Sequence, residues 1–466
     1  MIKSANSKKN GIRQLNVMFG DFSYFNRQTT YELYTPLSIG LIGQYAKQQY
    51  GDDINVSLFK SVDKFFEKAA QNPPDVVGLS IYYWNIEKNK YVVNRLRQMF
   101  GQKVTIVIGG PCIDSDKNEQ VRYLSKVFPE VNAITINEGE QAFSNILGRV
   151  LGKNETIFKD PIDGASFLKD NNLISGRPIG TSMDLATLGS PYLSGLMDDF
   201  LHSDYQPLIQ TSRFCPYTCA FCVSGKSRGK LRGYPMDQVK EELRYVSKKY
   251  ADRPHHTMYL VDENFGILKR DVEIAEAIRK CKEDFAYPQS VYFYNDKRFT
   301  ETSRRVIEVM SDMTQLGVAL ALQTENPETL AASNRRNLTS EEIQSAIAWA
   351  KGINLTTSTD LIFGLPKETK KSFVELMDRT IGRGFDSVVI QNLIIMDGIE
   401  MNRESYREQY NLGSHYRVVS DNAGKITLKD MNNKQHTLYS TEVQEVVTSG
   451  DTFNFNEYIE IRLISF

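Results

Sequence analysis

The chain has 466 residues, 41% hydrophobic and 24% charged, with a formal net charge of -1. At ~150 residues per domain that length suggests about three domains, and the composition excludes a disordered chain. The balanced charge and the polar start MIKSANSKKNGIRQ, with no apolar run able to span a bilayer, predict a cytoplasmic protein with neither a nucleic-acid nor a membrane partner.

Residues 14–150 alternate between strand-like and helix-like runs. Strands are expected at Leu15–Phe19, Ile54–Phe59, Val76–Ile81, Val104–Ile108 and Ala133–Ile136, with helices such as Leu37–Tyr50 and Asn85–Met99 between them. This spacing predicts a Rossmann-like, doubly wound parallel sheet whose ligand lies beyond the carboxyl ends of the strands. Residues 151–206 lose the pattern and read as a linker (KDPIDG, SGRPIG, TLGSPYLSG). Residues 207–400 alternate again, with strands expected at Leu208–Thr211, Met258–Val261, Val291–Tyr294, Val318–Gln323, Thr357–Phe363 and Ser387–Ile394. Thr339 and Glu342 form a capping pair at the start of a helix over Ser340–Lys351. Six such units suit a partial (β/α)6 TIM-like barrel with its site at the strands' C-terminal ends. In residues 401–466, YRVV, KITL and HTLYST read as short strands of a small α+β appendage, and the chain ends inside the apolar run IRLISF as though cut short there.

Five cysteines are present, and three of them, Cys215, Cys219 and Cys222, fall on one loop after the first barrel strand. Their C-x3-C-x2-C spacing is a poor disulfide framework and a good metal motif. Three thiolates can each bind one iron of a [4Fe-4S] cluster, leaving a fourth iron without a protein ligand. An open iron can chelate the amine and carboxylate of S-adenosyl-L-methionine and pass an electron to its sulfonium, giving a 5'-deoxyadenosyl radical. A closed zinc site is the competing reading; its fourth ligand would come from His202, His255, His256 or a remote cysteine, since no second cysteine pair exists. Cys112 and Cys281 stand alone, which argues against a second cluster. No P-loop, zincin motif or Ser/His/Asp arrangement appears.

At this loop the chain resembles the cobalamin-dependent radical S-adenosylmethionine enzymes, over residues from about 30 to about 450. Phe214 stands where that family usually has Gly. The resemblance implies further positions. Phe221 matches the aromatic position near the adenine. Asp262, Glu263 and Asn264 lie in VDENFG, which resembles the family's "DDNFG" element, and would bind the methionyl ammonium. Gln323 or Thr324 would face the ribose. Arg335 would pair with the carboxylate, a task suited to a planar guanidinium, with Arg336 the competing choice. Gly364, in IFGLPKET, would let the backbone approach the adenosyl group; Lys367 replaces a usual Gly, and Glu368-Thr369 reads equally as a helix cap.

In the N-terminal part, Ser80 and Asn85, Gly109 and Gly110, and Glu138, Gly139 and Glu140 follow predicted strands. They resemble the "S…N", "GGP" and "GEGE" turns of the family's cobalamin-binding domains, with Asn137 in place of the first Gly. Residues 1–150 contain no histidine, so the D-x-H-x-x-G element is absent and any cobalamin is bound without a lower imidazole. A domain that merely docks, or a nucleotide domain, is the alternative; the latter lacks G-x-G-x-x-G after the first strand. Tyr82, Tyr83 and Trp84 read equally as corrin lining or as core.

The family implies a methyltransferase acting on an unactivated carbon of a small molecule, with methylcobalamin between the two domains and an external donor of flavodoxin or ferredoxin type. A cyclase or oxidative rearrangement enzyme keeps the same machinery. A cobalamin or cluster sensor is the non-enzymatic alternative.

Overall fold

The computed structural model describes residues 13–24, 33–152, 157–179, 183–201, 205–224, 229–429 and 435–465. They divide into two compact units: the first draws on the described residues of 1–29, 36–180 and 420–442, the second on 30–35, 181–419 and 443–466. His202 lies outside the described residues.

In the first unit, strands β1 (Leu15–Gly20), β2 (Ile54–Phe59), β3 (Val76–Ser80), β4 (Thr105–Gly109) and β5 (Ala133–Thr135) run parallel in the order β2-β1-β3-β4-β5. The central strands β3 and β4 are buried along nearly their whole length because both of their registers are apolar, whereas the edge strand β2 is apolar mainly on one. Val17, Phe19, Val76 and Val107 pack with Ile39, Ala46, Phe143 and Ile146, from helices α1 (Leu37–Tyr50) and α4 (Gly139–Leu151). Met18, Val77, Ile106 and Ile108 pack with Phe65, Phe66, Val92 and Leu96, from α2 (Val62–Gln71) and α3 (Ile86–Phe100). Strand order reverses between β1 and β3, which is where a doubly wound sheet opens its crevice.

The stretch expected to be a linker behaves differently. Ala165–Lys169 (β6) and Asn172–Ser175 (β7) extend the sheet as an antiparallel hairpin. Its two-residue turn, Asp170-Asn171, has both residues at positive φ, as a type I′ turn requires. Tyr192 of SPYLSG belongs to the second unit; it is fully buried, and its hydroxyl donates to the Leu208 carbonyl under the first barrel strand.

Among the described residues of the second unit, the six strands expected for the barrel run parallel in two ladders, beside a separate parallel pair of Leu33–Tyr34 with Tyr205–Gln206. Leu208–Ile209 (β8), Met258–Leu260 (β9) and Val291–Tyr292 (β10) form one, and Val318–Ala319 (β11), Thr357–Phe363 (β12) and Ser387–Asn392 (β13) form the other. The Ala319 amide donates to the side chain of Asn295, so a side-chain bond stands where the ladder breaks.

The three short strands expected after residue 401 are parts of two long ones, Gly413–Lys429 (β14) and Gln435–Ser449 (β15). The apolar run IRLISF falls largely in a helix, α5 (Phe455–Ile464), with an Asn454–Glu457 capping box. In the first unit, Glu442 of β15 accepts the Glu87 and Lys88 amides at the start of α3 and the Tyr24 hydroxyl. No helix among the described residues is long and apolar enough to cross a membrane.

Candidate functional site

The cysteine loop leaves the barrel through Ser212–Arg213, which pairs antiparallel with Arg232–Gly233 and closes the loop at its base. Phe214 enters the loop at φ 74°, a left-handed conformation that glycine adopts at no steric cost. The Arg232 guanidinium lies 5.1 Å from its ring centre and helps to hold it there. Asn137 (φ 62°) and Lys367 (φ 66°), which also stand where the family has Gly, keep the glycine conformation too. At all three places a residue with a side chain takes up the strain of a left-handed backbone.

Cys215 and Cys219 are buried and Cys222 is half-buried; no cysteine forms a disulfide. Asn264 Nδ2 donates to Cys215 Sγ at 3.0 Å. Lys297 Nζ lies 3.8 Å and Arg335 Nη1 3.5 Å from Cys219 Sγ. Burial pushes the Cys215 thiol up, while the Lys297 charge and the Asn264 bond pull it down. Ala220 is held from both sides: its amide donates to Ser333 O at 3.0 Å and its carbonyl accepts Met401 N at 3.2 Å. Two of the three sulfurs thus meet N–H donors in a largely dry setting, which suits thiolates bound to an electron-accepting cluster. Among the described residues, no three His, Cys, Asp or Glu come together in a set that could hold a metal ion.

Asp262 is engaged within the protein. It is 2% exposed, and its carboxylate accepts the amides of Thr211 and Ser212 at 2.8 and 2.7 Å and the Thr211 hydroxyl. It pins the strand end from which the cysteine loop departs, in place of the ammonium contact expected of it. Its neighbour Glu263 is exposed, and Asn264 turns to Cys215. Thr324 is likewise turned away from any ribose: it is fully buried and donates to Glu368, which also accepts from Ser372. Gln323, at φ 65°, links backbone to backbone with Asp360 and Ile362. Thr369 caps the next helix, as the alternative reading of Glu368-Thr369 had it. Gly364 has φ 100°, and a Cβ there would meet Leu393 and the Val447 carbonyl at 3.3 and 3.5 Å. Its glycine is therefore required by the fold itself.

Arg335 is buried and engaged three ways: on Cys219 Sγ, on Asn337 Oδ1 at 2.9 Å and on the Ala321 carbonyl. Its guanidinium lies 5.9 Å from the Phe221 ring centre. Arg336 is exposed. Lys297 escaped the sequence reading. It follows the third barrel strand in YND-K, and the expectation that sites gather at strand C-termini could have found it. Tyr217, between the first two cysteines, donates to Asp296 Oδ1 at 2.8 Å, and burial pushes its hydroxyl pKa up.

In the first unit the predicted residues gather at the C-terminal edge of the sheet, where several are engaged in folding. Asn85 is fully buried; it accepts the Tyr82 amide at 2.9 Å and donates to the Phe22 and Ser80 carbonyls, closing its own turn. Ser80 Oγ lies 3.2 Å from Ser38 Oγ. A Cβ on Gly109 would strike the Thr135 side chain at 2.2 Å, and one on Gly110 (φ 121°) the Ile81 carbonyl at 2.5 Å. A Cβ on Gly139 would lie 2.9 Å from Ile42. The backbone of Ile81 thus demands glycine at 110 before any ligand arrives, whereas at 109 and 139 only side-chain ends stand in the way. Glu138 and Glu140 are buried at the start of α4. Tyr83 packs on the core, whereas Tyr82 and Trp84 stack on one another, 4.4 Å apart and 7° from parallel. The edge therefore offers flat aromatic surface and glycine-backed turns, and no imidazole from residues 1–150. That donor set fits a flat macrocycle held without a nitrogen ligand from the protein on its metal.

Residues 26–147 match the B12 binding domain family and residues 209–380 the Radical SAM superfamily. The chain is 26% identical over 394 residues to the cobalamin-dependent radical SAM methyltransferase TokK of Streptomyces tokunonensis, covering 81% of this chain and 56% of that protein. It is 29% identical over 353 residues to the 2-(S-pantetheinyl)-carbapenam-3-carboxylate methyltransferase of Streptantibioticus cattleyicolor, covering 73% and 50%. The chain thus spans about half the length of these curated relatives. Its fold matches that of the radical methyltransferase TsrM from Kitasatospora setae, with a TM-score of 0.64 at 13% identity over 87% of this chain and 79% of that one. The cobalamin-dependent radical enzyme OxsB matches with a TM-score of 0.59 at 14% identity, over 85% and 55%. A B12 binding domain and a radical SAM domain thus lie in one polypeptide, the pairing that the resemblance to the cobalamin-dependent radical enzymes implies.

Proposed function

We propose that this chain is a cobalamin-dependent radical methyltransferase that places a methyl group on an unactivated carbon of a small molecule. One observation carries the proposal: three thiols share a loop pinned to a barrel strand end, and two of their sulfurs meet N–H donors from Asn264, Lys297 and Arg335. When bound, the cluster would supply the electron that cleaves S-adenosyl-L-methionine, and cobalamin the methyl group that is transferred.

The chain's own residues do the holding. Cys215, Cys219 and Cys222 would hold the cluster, and an iron they leave without a protein ligand would take the amino acid end of S-adenosyl-L-methionine. Arg335, whose guanidinium reaches the cysteine loop, holds the carboxylate. Gln323 and the backbone around Phe221 and Gly364 line the adenosyl side. Ser80, the glycine turns and the Tyr82–Trp84 stack receive the corrin. An external one-electron donor would reduce the cluster, and the free thiols are in keeping with a cytoplasmic location.

The test is S-adenosyl-L-methionine labelled in its methyl group, given to reconstituted protein with reductant and candidate substrates. Labelled product together with 5'-deoxyadenosine supports methylation. Deoxyadenosine with an unlabelled, rearranged product would refute methyl transfer and leave the radical step standing.

A further inference from the structure

We propose that Tyr294 and Tyr292 form a hydrogen-atom relay that quenches the 5'-deoxyadenosyl radical when no substrate is bound, and so shields the site from its own oxidant. This goes beyond methyl transfer and rests on one part of that reading, that the cysteine loop cleaves S-adenosyl-L-methionine.

Tyr292 ends β10, and Tyr294 follows it by two residues. Phe293 between them is buried and packs on Phe265. By strand alternation the two tyrosines point the other way, into the barrel, where Tyr292 feels the charge of Asp360 on β12, beyond β11. The residues that follow run to the cysteine loop: Asp296 accepts the Tyr217 hydroxyl, and Lys297 reaches Cys219 Sγ. The Tyr294 carbonyl accepts the amide of Phe265, whose neighbour Asn264 donates to Cys215 Sγ. Tyr294 therefore stands at the cluster end of the barrel, where the radical would be made.

The hydroxyls are set for a hand-over. Tyr292 donates to the Tyr294 oxygen at 2.8 Å, and Tyr294's own hydrogen has no acceptor among the described residues. Tyr294 is 55% exposed, so its phenol is open to a small reactant. Tyr292 is half-buried, with its ring 4.9 Å from that of Tyr259 and 29° from parallel. Burial and the bond to Tyr294 push the Tyr292 hydroxyl pKa up, which keeps its hydrogen in place.

In the first step the radical carbon takes the Tyr294 hydroxyl hydrogen. The O–H bond breaks, a C–H bond forms, and 5'-deoxyadenosine leaves a neutral phenoxyl radical behind. The step runs downhill because a phenol O–H is weaker than the primary C–H that replaces it. The Tyr292 hydrogen then moves along the existing bond to the Tyr294 oxygen, and the unpaired electron rests on Tyr292, against Tyr259. One electron from the external donor that serves the cluster, and one proton from water, restore the pair. Excluding competing reactions of this kind is the protein's part in radical chemistry.

The experiment uses the full chain with its cluster reconstituted, S-adenosyl-L-methionine and dithionite in deuterium oxide, without substrate. Phenol hydrogens exchange with solvent, so wild type is expected to place deuterium on C5' of the 5'-deoxyadenosine, read by mass spectrometry. Tyr294→Phe is expected to lose that deuterium and to form deoxyadenosine more slowly, and Tyr292→Phe to keep it. Iron content and melting temperature show that both variants fold. A second readout needs no variant: freeze-quenched wild type grown on ring-deuterated tyrosine should give a phenoxyl spin-resonance signal narrowed by the label. Undiminished deuterium in Tyr294→Phe would overturn the relay and leave Tyr294 a contact for substrate or cofactor. A signal indifferent to the tyrosine label, or deoxyadenosine that forms only with substrate present, would overturn it too. No deoxyadenosine under either condition would instead remove the cleavage reading, and the relay with it.

Discussion

Asp262 gives the sharpest perturbation of the site. Its carboxylate accepts two backbone amides and one hydroxyl at the root of the cysteine loop. Removing it in Asp262→Ala strips three bonds and leaves two amides facing a dry pocket. Hydrogen bonds to a charged group are worth about 1.5–3 kcal/mol each and are not additive, so a loss of about 3–5 kcal/mol is expected. Asp262→Asn keeps an acceptor oxygen and should lose about 1–2 kcal/mol. Burial pushes the Asp262 carboxyl up to about 6. Its proton is therefore held more tightly folded than unfolded, and the favourable contribution is full below pH ~4 and lost as pH rises through ~6. A shift of about two units corresponds to roughly 3 kcal/mol across that window, and Asp262→Asn should flatten it. The assay is urea unfolding against pH, with hydrogen exchange at the Thr211 and Ser212 amides. If Asp262→Ala keeps those amides protected and loses only S-adenosyl-L-methionine affinity, Asp262 is a cofactor ligand and the reasoning here is wrong.

Glu442→Ala should cost about 2–3 kcal/mol in the first unit, because α3 loses the side-chain acceptor of two first-turn amides and Tyr24 one of its two hydroxyl partners, read as lost amide protection at Glu87 and Lys88. Gly110→Ala should cost about 1–3 kcal/mol or more from its positive φ and the Ile81 carbonyl, seen as a lower melting temperature with or without cobalamin. Burial lowers the Lys88 ammonium to about 7, so its penalty is full below pH 7 and fades as pH rises towards the ordinary lysine value. Lys88→Met should therefore remove a rise in stability between pH 7 and 10, measured by denaturant titration. Lys297→Met should leave iron content near wild type and shift the cluster to lower potential, since a cation 3.8 Å from Cys219 Sγ favours the reduced state.

Much of the fold could be read because apolar residues repeat so plainly. Both registers of Val17–Phe19 and Ile106–Ile108 are apolar, which only a sheet covered on both sides explains. The Asp170-Asn171 hairpin escaped because its strands are short and lie among Gly and Pro that read as loop. The long strands of residues 413–449 escaped because DNAG at 421–424 looks like a turn, yet the strand runs through it. In the site, the order of the motifs located the loops, but residue type could not say which way each side chain points. An acid at a strand end serves a bound ammonium or a backbone amide equally well; burial decided for Asp262. Thr324 and Asn85 turned inward for the same reason, a buried polar group needing a partner. Departures from glycine were visible as letters, while the unchanged left-handed backbone at Phe214, Asn137 and Lys367 was not.

The most direct test of the whole account is anaerobic reconstitution with iron and sulfide, followed by iron counting and spin resonance of the dithionite-reduced protein with and without S-adenosyl-L-methionine. The account predicts about four irons per chain, a reduced-cluster signal that changes when S-adenosyl-L-methionine is added, and loss of both in Cys215→Ala, Cys219→Ala and Cys222→Ala. Uptake of one zinc and no iron, or a cluster signal indifferent to S-adenosyl-L-methionine, would contradict it.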